Sequence, residues 1–152
     1  MFEWLAAHPD ADVSFFCVER DPDAIIYATA LNQEFASKVS FEQKNVIRYR
    51  PQFQYNLIWA AGLFDYFSDK IFQVVLQRLL PAIADGGELV IGNFASRGSH
   101  PYMEFSGWSL HYRSAEQLAS LALACGIPAD MIYVGAEPEA VNLFLHIKSG
   151  RL

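Results

Sequence analysis

The stretch VSFFCVERDPDA, residues Val13–Ala24, joins a predicted strand to a predicted helix and decides the fold class. Its first half, VSFFCV, is almost entirely apolar and is bounded by polar residues, which is typical of a strand covered on both faces. Asp21 is a good N-cap, and Pro22 suits the first position of a helix. The stretch therefore predicts a strand that leads directly into a helix, as in sheets of parallel strands.

The same alternation of strand and helix continues along the chain. Helices are predicted over 2–8, 22–36, 68–84 and 114–125, and strands over 13–18, 39–42, 55–61, 88–94, 131–135 and 141–148. A short acidic turn joins the last two strands, which are expected to form an antiparallel hairpin. We predict one α/β domain over residues 1–152, with three layers: a mostly parallel, Rossmann-like sheet and helices on both of its faces.

Composition argues against several classes of function. The formal net charge is −6, and the Lys and Arg residues are scattered singly, so no basic patch for nucleic acid or an anionic membrane is predicted. There is no basic segment of a signal peptide near Met1, and no apolar run long enough to span a membrane. Two cysteines in a chain of this size are expected to be reduced. These features favour a cytoplasmic protein.

Glu19 ends the first predicted strand and is the first candidate for a binding residue. In open α/β sheets, ligands bind at the carboxyl ends of the strands. A carboxylate in that place can accept hydrogen bonds from both hydroxyls of a ribose. The alternative is a solvated strand end without a ligand, and position alone leaves both open.

Four segments resemble conserved blocks of class I S-adenosylmethionine-dependent methyltransferases. VERDPDAI (18–25) resembles the second block, FEQKNV (41–46) the third, YNLIWAAGLFDY (55–66) the fourth, and LLPAIADGGELVIGN (79–93) the helix–Gly-Gly–strand block that follows. The terminal hairpin is also a hallmark of that fold. GLFDY and the segment 102–113 resemble, less closely, bacterial methyltransferases of 3-hydroxypalmitate methyl ester formation.

The resemblance implies S-adenosylmethionine as the cofactor and assigns residues to it. Glu19 would hold the ribose, Arg20 would flank the adenine, and Asn45 with Val46 would meet the adenine edge. The floor near the methionine part would consist of small residues, Ala60, Ala61 and Gly62, which allow close approach of the backbone. Tight packing at a strand end is the alternative explanation for these small residues.

Aromatic and polar side chains that follow the strands 55–61 and 88–94 are predicted to meet a small-molecule acceptor. The candidates for substrate binding are Phe64, Tyr66, Asn93, Tyr102, Trp108 and Arg113. Arg113 could bind a carboxylate bidentately, and His111 or Tyr112 could act as catalytic base for a hydroxyl acceptor. An ordinary aromatic lid packed on the core is the alternative. The histidines show no spacing typical of metal ligands.

Two features depart from the family pattern. Position 45 is Asn, whereas the family usually has an acid there. The family's first strand and glycine-rich turn would precede the helix that ends at His8, and residues 1–8 do not contain them. We therefore predict an N-terminally truncated domain that binds the donor weakly by itself, and whose partner is either a second copy of the chain or a missing N-terminal segment.

Three functions remain open at this point. The first is methyl transfer to a carboxylate or hydroxyl of a small molecule, with activity of this truncated chain in doubt. The second is a non-catalytic methyltransferase-like module that oligomerises or binds a partner. The third is an NAD-dependent oxidoreductase, because an acid after the second strand also suits the NAD ribose. The Asp85-Gly-Gly87 turn and the hairpin argue against the third.

Overall fold

The computed structural model describes residues 2–96, 105 and 107–150. The chain divides into two compact units, Met1–Tyr49 and Arg50–Leu152. The first unit contains a two-stranded sheet and the second a four-stranded sheet. The predicted α/β class is confirmed, while a single domain over residues 1–152 stays a prediction.

The first unit consists of two helices and two parallel strands. In chain order these are α1 (Phe2–Ala7), β1 (Phe15–Glu19), α2 (Pro22–Leu31) and β2 (Val39–Gln43). The strands pair in parallel from Phe15 opposite Val39 to Glu19 opposite Gln43. Asp21 caps α2 as predicted, because its carboxylate accepts a hydrogen bond from the N–H of Asp23 at 2.9 Å. Parallel pairing therefore brings the carboxyl ends of β1 and β2 to the same edge.

Helix α2 differs from the sequence prediction in length and in exposure. It ends at Leu31 and is followed by a 3-10 turn, Gln33–Phe35, instead of continuing to residue 36. Helical spacing predicts that Ile25, Ile26, Thr29 and Ala30 face the core, but Ile25 is only half-buried and the other three are exposed, Ile26 retaining 67% of its accessible surface. None of the helix residues is buried. Helical spacing identifies which residues share a face, but it does not show whether the chain covers that face.

In the residues that the structure describes, the second unit is an open sheet with two long helices. In chain order its elements are β3 (Tyr55–Ala60), α3 (Asp69–Leu79), β4 (Ile83–Phe94), α4 (Ala115–Ala124), β5 (Ile132–Ala136) and β6 (Asn142–Lys148). The strand order is β3-β4-β6-β5. β3 pairs with β4 in parallel, whereas β6 pairs antiparallel with both β4 and β5. The predicted C-terminal hairpin is therefore confirmed.

One face of this sheet carries the core of the second unit. The cross-strand neighbours Leu89 and Ile147, and likewise Ile91 and Leu145, are at most 2% exposed. Successive residues of a strand point to opposite faces. On the other face, Leu57, Trp59 and Tyr133 retain 55%, 58% and 64% of their accessible surface. The second unit is thus tightly packed on one face of its sheet, whereas the other face leaves these three side chains exposed.

The Asp85-Gly86-Gly87 segment lies inside β4 rather than in a turn before it. β4 begins at Ile83, and the pairing with β3 passes from Tyr55 opposite Ile83 to Leu57 opposite Glu88, so the intervening residues of β4 bulge out. Gly86 has a φ of 72°, in the left-handed region that favours glycine. A Cβ on Gly87 would lie 2.9 Å from the backbone oxygens of Ala84 and Asn56. Both glycines are therefore required for the bulge.

Helix α4 begins with the predicted capping box. The hydroxyl of Ser114 accepts from the N–H of Gln117 at 3.2 Å, and the Gln117 side chain accepts from the N–H of Ser114 at 2.8 Å. We expect Ser114→Ala to lower the free energy of unfolding by about 1 kcal/mol, since it removes an N-cap. Urea unfolding measures this loss. Ser120→Ala is the control, because Ser120 is exposed in the same helix and alanine is the better helix former; an equal loss in both variants would contradict the cap.

Candidate functional site

Glu19 lies where β1 ends, and its carboxylate is held by the backbone that follows. Its Oε1 accepts from the N–H groups of Arg20 at 2.6 Å and Asp21 at 2.8 Å. Among the described residues, nothing bonds to its Oε2. Glu19 is exposed, so Oε2 is accessible to a ligand while the side chain is already oriented. An oriented carboxylate with an open oxygen is suited to accept hydroxyl donors.

The predicted adenine residues lie beside Glu19, at the end of β2. The N–H of Lys44 donates to the Glu19 carbonyl at 2.8 Å, which joins the two strand ends. The Oδ1 of Asn45 accepts from the N–H of Ile47 at 2.9 Å, so this oxygen is used in a local turn. Its Nδ2 has no partner in the described part of the chain. One edge of this sheet thus brings together Glu19, Arg20, Asn45 and Val46. The Nδ2 of Asn45 is available there as a hydrogen-bond donor.

The small residues predicted near the methionine part lie at the end of β3. Ala61 and Gly62 are exposed and Ala60 is half-buried. Gly62 has a φ of 71°, which a residue with a Cβ rarely adopts. A Cβ on Gly92 of β4 would lie 3.3 Å from the Cα of Ala61. Tight strand packing therefore accounts for Gly92, whereas the exposed Ala61-Gly62 backbone is accessible to a ligand.

Arg113 is buried in the second unit and does not face solvent. Its side chain is 3% exposed and stacks on Phe72, with 4.9 Å between its Cζ and the ring centre. Its Nε and Nη2 donate to Asp69, and its remaining N–H groups donate to Asn93 and to the carbonyls of Phe64 and Phe67. All five guanidinium N–H groups therefore have acceptors inside the protein. This geometry favours a structural role over the predicted binding of a substrate carboxylate.

Two other predicted substrate residues are also enclosed. The Phe64 ring is fully buried and packs edge-on against Phe67 and Phe72, with centroids 5.4 Å and 4.8 Å away. Asn93 is 1% exposed, and its side chain bonds only to the protein. In this structure both side chains contact the core. Direct contact with an acceptor stays a prediction for them.

The accessible aromatic residues lie together beyond the ends of β3 and β4. The Trp108 Nε1 donates to the Tyr66 hydroxyl at 2.9 Å, and the Trp108 ring lies edge-on to Phe94. Trp108 and Tyr66 retain 45% and 54% of their accessible surface. His111 is exposed nearby in the chain and Tyr112 is half-buried. Tyr102 lies outside the described residues. The cluster offers an apolar surface with polar groups, as small-molecule sites do.

From sequence alone, Asp65 could equally face the donor or acceptor or cap the helix that follows. It is 1% exposed, and its Oδ1 accepts from the N–H of Phe94 at 2.6 Å. Asp69, the partner of Arg113, was not predicted at all, because a contact across 44 residues has no local pattern. Burial raises the pKa of Asp65 above its ordinary value, although the backbone bonds to Phe94 and to Asp65 itself and the Arg113 charge oppose this.

The raised pKa of Asp65 predicts a pH dependence of stability. The folded state binds this proton more tightly than the unfolded state, so its stabilising effect is lost as the pH rises above about 3.9, the ordinary aspartate value. We expect the free energy of unfolding of the wild type, relative to that of Asp65→Asn, to fall as the pH rises from about 3 toward neutrality. Urea unfolding across about four pH units measures it. A difference that moves the other way would mean that the folded-state pKa is lowered.

No protein-family model and no curated protein matches the sequence. Solved structures do match. A possible exported protein from Bordetella parapertussis superposes with a TM-score of 0.81 at 16% identity, over 98% of this chain and 58% of that one. The S-adenosylmethionine-dependent methyltransferase SibL superposes with a TM-score of 0.74 at 14% identity, over 99% of this chain and 47% of that one. An O-methyltransferase family protein from Burkholderia thailandensis superposes with a TM-score of 0.69 at 15% identity, over 99% of this chain and 48% of that one.

The chain therefore shares the α/β fold of these two methyltransferase structures. The chain spans between 47% and 58% of the length of the three structures named above. The match therefore supports the fold implied by the four sequence blocks. The narrower resemblance to 3-hydroxypalmitate methyl ester proteins stays a prediction.

Within the described residues, no helix combines the length and the apolar character that crossing a bilayer requires.

Both cysteines, Cys17 and Cys125, are free and half-buried, and burial raises the pKa of each thiol. A raised pKa keeps a thiol protonated and poorly nucleophilic. Neither cysteine is therefore a candidate nucleophile.

Proposed function

We propose that this chain takes part in S-adenosylmethionine-dependent methyl transfer to the oxygen of a small hydroxyl- or carboxylate-bearing acceptor. The observation that carries the proposal is the edge where β1 and β2 end. There an oriented carboxylate with an open oxygen, Glu19, lies beside an amide donor, Asn45. Carboxyl ends of parallel strands are where α/β folds bind nucleosides. The likeness of the fold to an S-adenosylmethionine-dependent methyltransferase supports the adenosyl group of S-adenosylmethionine as the ligand at this edge.

The residues have distinct tasks in this proposal. Bound S-adenosylmethionine supplies a methyl group activated by a sulfonium. Glu19 would accept from the ribose hydroxyls, and the Asn45 Nδ2 would donate to a ring nitrogen of adenine. Tyr66 and Trp108 would pack on the apolar part of the acceptor. The exposed His111 imidazole would take the proton of a hydroxyl acceptor, whereas a carboxylate acceptor needs no base.

A titration with S-adenosylhomocysteine, followed by the amide NMR signals of the whole chain, tests the proposal. We expect saturable shifts at residues 19–21 and 44–47, with a Kd of about 1 mM, equivalent to roughly −4 kcal/mol. NADH serves as the comparison ligand and is expected to leave these signals unchanged. Absence of saturable shifts at both strand ends would refute the proposal, and equal shifts with NADH would favour the oxidoreductase.

Assembly with a second copy of the chain is part of the same proposal. One face of the four-stranded sheet carries an exposed apolar surface, which consists of Leu57, Trp59 and Tyr133. Open apolar surface of this kind is typical of interaction sites. This observation also supports the second candidate function, a non-catalytic module that binds a partner. A cytoplasmic location remains a prediction from composition.

We expect the chain to have twice the monomer mass in light scattering after size exclusion. Trp59→Glu should give the monomer, because it places a charge in the open apolar surface. Gln54→Glu adds the same charge at an exposed position and should leave the mass unchanged. A wild type that is monomeric at every concentration would exclude self-assembly.

A further inference from the structure

The backbone of His111 is held at both of its polar groups, although its side chain is exposed. Its N–H donates to the Asp65 carbonyl at 2.7 Å. Its carbonyl accepts from the Nδ2 of Asn93 at 2.9 Å, with the Arg113 Nη1 at 3.5 Å. Residues of surface loops usually bond to water instead. Holding both groups of one loop residue fixes the direction in which its side chain leaves the backbone.

Asn93 has one possible orientation in this arrangement. The Arg113 Nη1 lies 2.7 Å from its Oδ1. A guanidinium has donors only, so the atom that faces it must be the oxygen. The Nδ2 must then face the carbonyls of Phe94 at 3.0 Å and His111 at 2.9 Å. The assignment of the amide, which is ambiguous for many asparagines, is therefore settled here by chemistry.

Arg113 is itself immobilised, so the restraint extends from the core to the loop. Its guanidinium is bonded to Asp69 at the start of α3 and to the carbonyls of Phe64 and Phe67, and it stacks on Phe72. Asn93 thus connects a fixed cation to the His111 carbonyl. A fully satisfied buried network of this kind holds one geometry.

We infer that Asn93 is a positioning residue: it holds His111 beyond the end of β4 so that the imidazole meets the acceptor. The inference rests on the proposed methyl transfer. Asn93 is 1% exposed, so in this inference it acts through the His111 backbone and needs no contact with the acceptor. Displacing a reacting group by about 1 Å can lower a rate about a hundredfold.

Asn93→Asp separates this role from general packing. The carboxylate keeps the acceptor for Arg113 and has nearly the same shape, but it puts an oxygen where Nδ2 faces two carbonyls. Asn56→Asp is the matched control, because Asn56 is exposed on β3. Only the first variant removes the bond to His111.

Hydrogen exchange measured by NMR on the whole chain reads the restraint through the His111 N–H, which the Asp65 carbonyl holds on the other side of the same residue. In Asn93→Asp the His111 carbonyl is freed, so this segment should open more often and the His111 amide should exchange at least about tenfold faster, the factor that corresponds to one lost buried hydrogen bond. Amides of Leu145 and Ile147 report on the core and should be unchanged. Unchanged exchange at His111 with an intact core would overturn the inference. If the variant does not fold, the wild-type Asn93 side-chain amide decides: rapid exchange of its protons overturns the inference, and slow exchange supports it.

Activity gives the second readout. With methyl transfer measured for the wild type, Asn93→Asp should lower kcat about tenfold or more and leave the Kd for S-adenosylhomocysteine unchanged, since Asn93 does not touch the donor. Loss of the His111 bond with kcat unchanged would overturn the positioning role. A wild type without methyl transfer would overturn the proposed function alone, and the exchange measurement would still decide whether Asn93 restrains His111.

Discussion

Arg113→Leu is expected to lower the free energy of unfolding by about 3–5 kcal/mol, because it removes one side of a buried network. Leucine leaves the Asn93 Oδ1 and the Phe67 carbonyl without the donors that now satisfy them, whereas the Phe64 carbonyl keeps the N–H of Phe67. Each unsatisfied buried acceptor costs about 1–3 kcal/mol. The Asp69 ion pair adds little, since the Asp69 side chain is 72% exposed whereas that of Arg113 is 3% exposed.

Urea unfolding of the full chain measures the effect of Arg113→Leu. Lys70→Ala is the control, because it removes an exposed cation next to Asp69 in the chain. Arg113→Lys should be intermediate, since an ammonium keeps the charge but cannot reach several acceptors in the planar arrangement of a guanidinium. A loss below about 1 kcal/mol in the leucine variant would fit a surface residue and would restore the substrate-binding prediction for Arg113.

Glu19→Ala is expected to remove saturable binding of S-adenosylhomocysteine, because two hydrogen bonds to a charged group contribute about 1.5–3 kcal/mol each, which is most of the roughly 4 kcal/mol expected for the wild type. The structure provides the physical reason. Oε1 is already engaged by the N–H groups of Arg20 and Asp21, so the carboxylate needs little reorganisation before it meets a ribose. The NMR titration measures the change.

Two further variants separate loss of the ligand contact from loss of local structure. Glu19→Gln keeps an oxygen for the two backbone N–H groups and removes only the charge, so it should bind more weakly than the wild type but better than Glu19→Ala. Asp23→Ala changes an exposed carboxylate in the first turn of α2 and should bind normally. Equal affinity of the wild type and Glu19→Ala would remove Glu19 from the site.

Local chemistry made much of the fold predictable from sequence. Asp21 with Pro22 marked the start of α2, and the Ser114–Gln117 pair marked the start of α4. The boundaries that differ involve competing signals. α3 was expected to reach residue 84, but it ends at Leu79 in a 3-10 turn that contains Pro81, whose missing N–H cannot continue a helix.

The site was predictable where it depends on strand ends and unpredictable where it depends on distant contacts. Glu19 and Asn45 meet because parallel strands end together. Arg113 is different, since a lone arginine in an aromatic segment suggests a ligand for a carboxylate equally well. Only the fold shows that Asp69, 44 residues earlier, and Asn93 occupy its donors. Sequence patterns of period two or 3.6 contain no information on such pairs.

The strand order of the second unit has a consequence for biosynthesis. β6, the last strand in the chain, lies between β4 and β5 in the sheet. A chain emerging from the ribosome therefore presents β4 and β5 before the strand that joins them exists. Until then the nascent protein exposes unpaired strand edges on β4 and β5, the kind of surface that chaperones shield and that aggregates readily. Stop mutations before residue 142 should thus yield insoluble product rather than a slightly shortened domain.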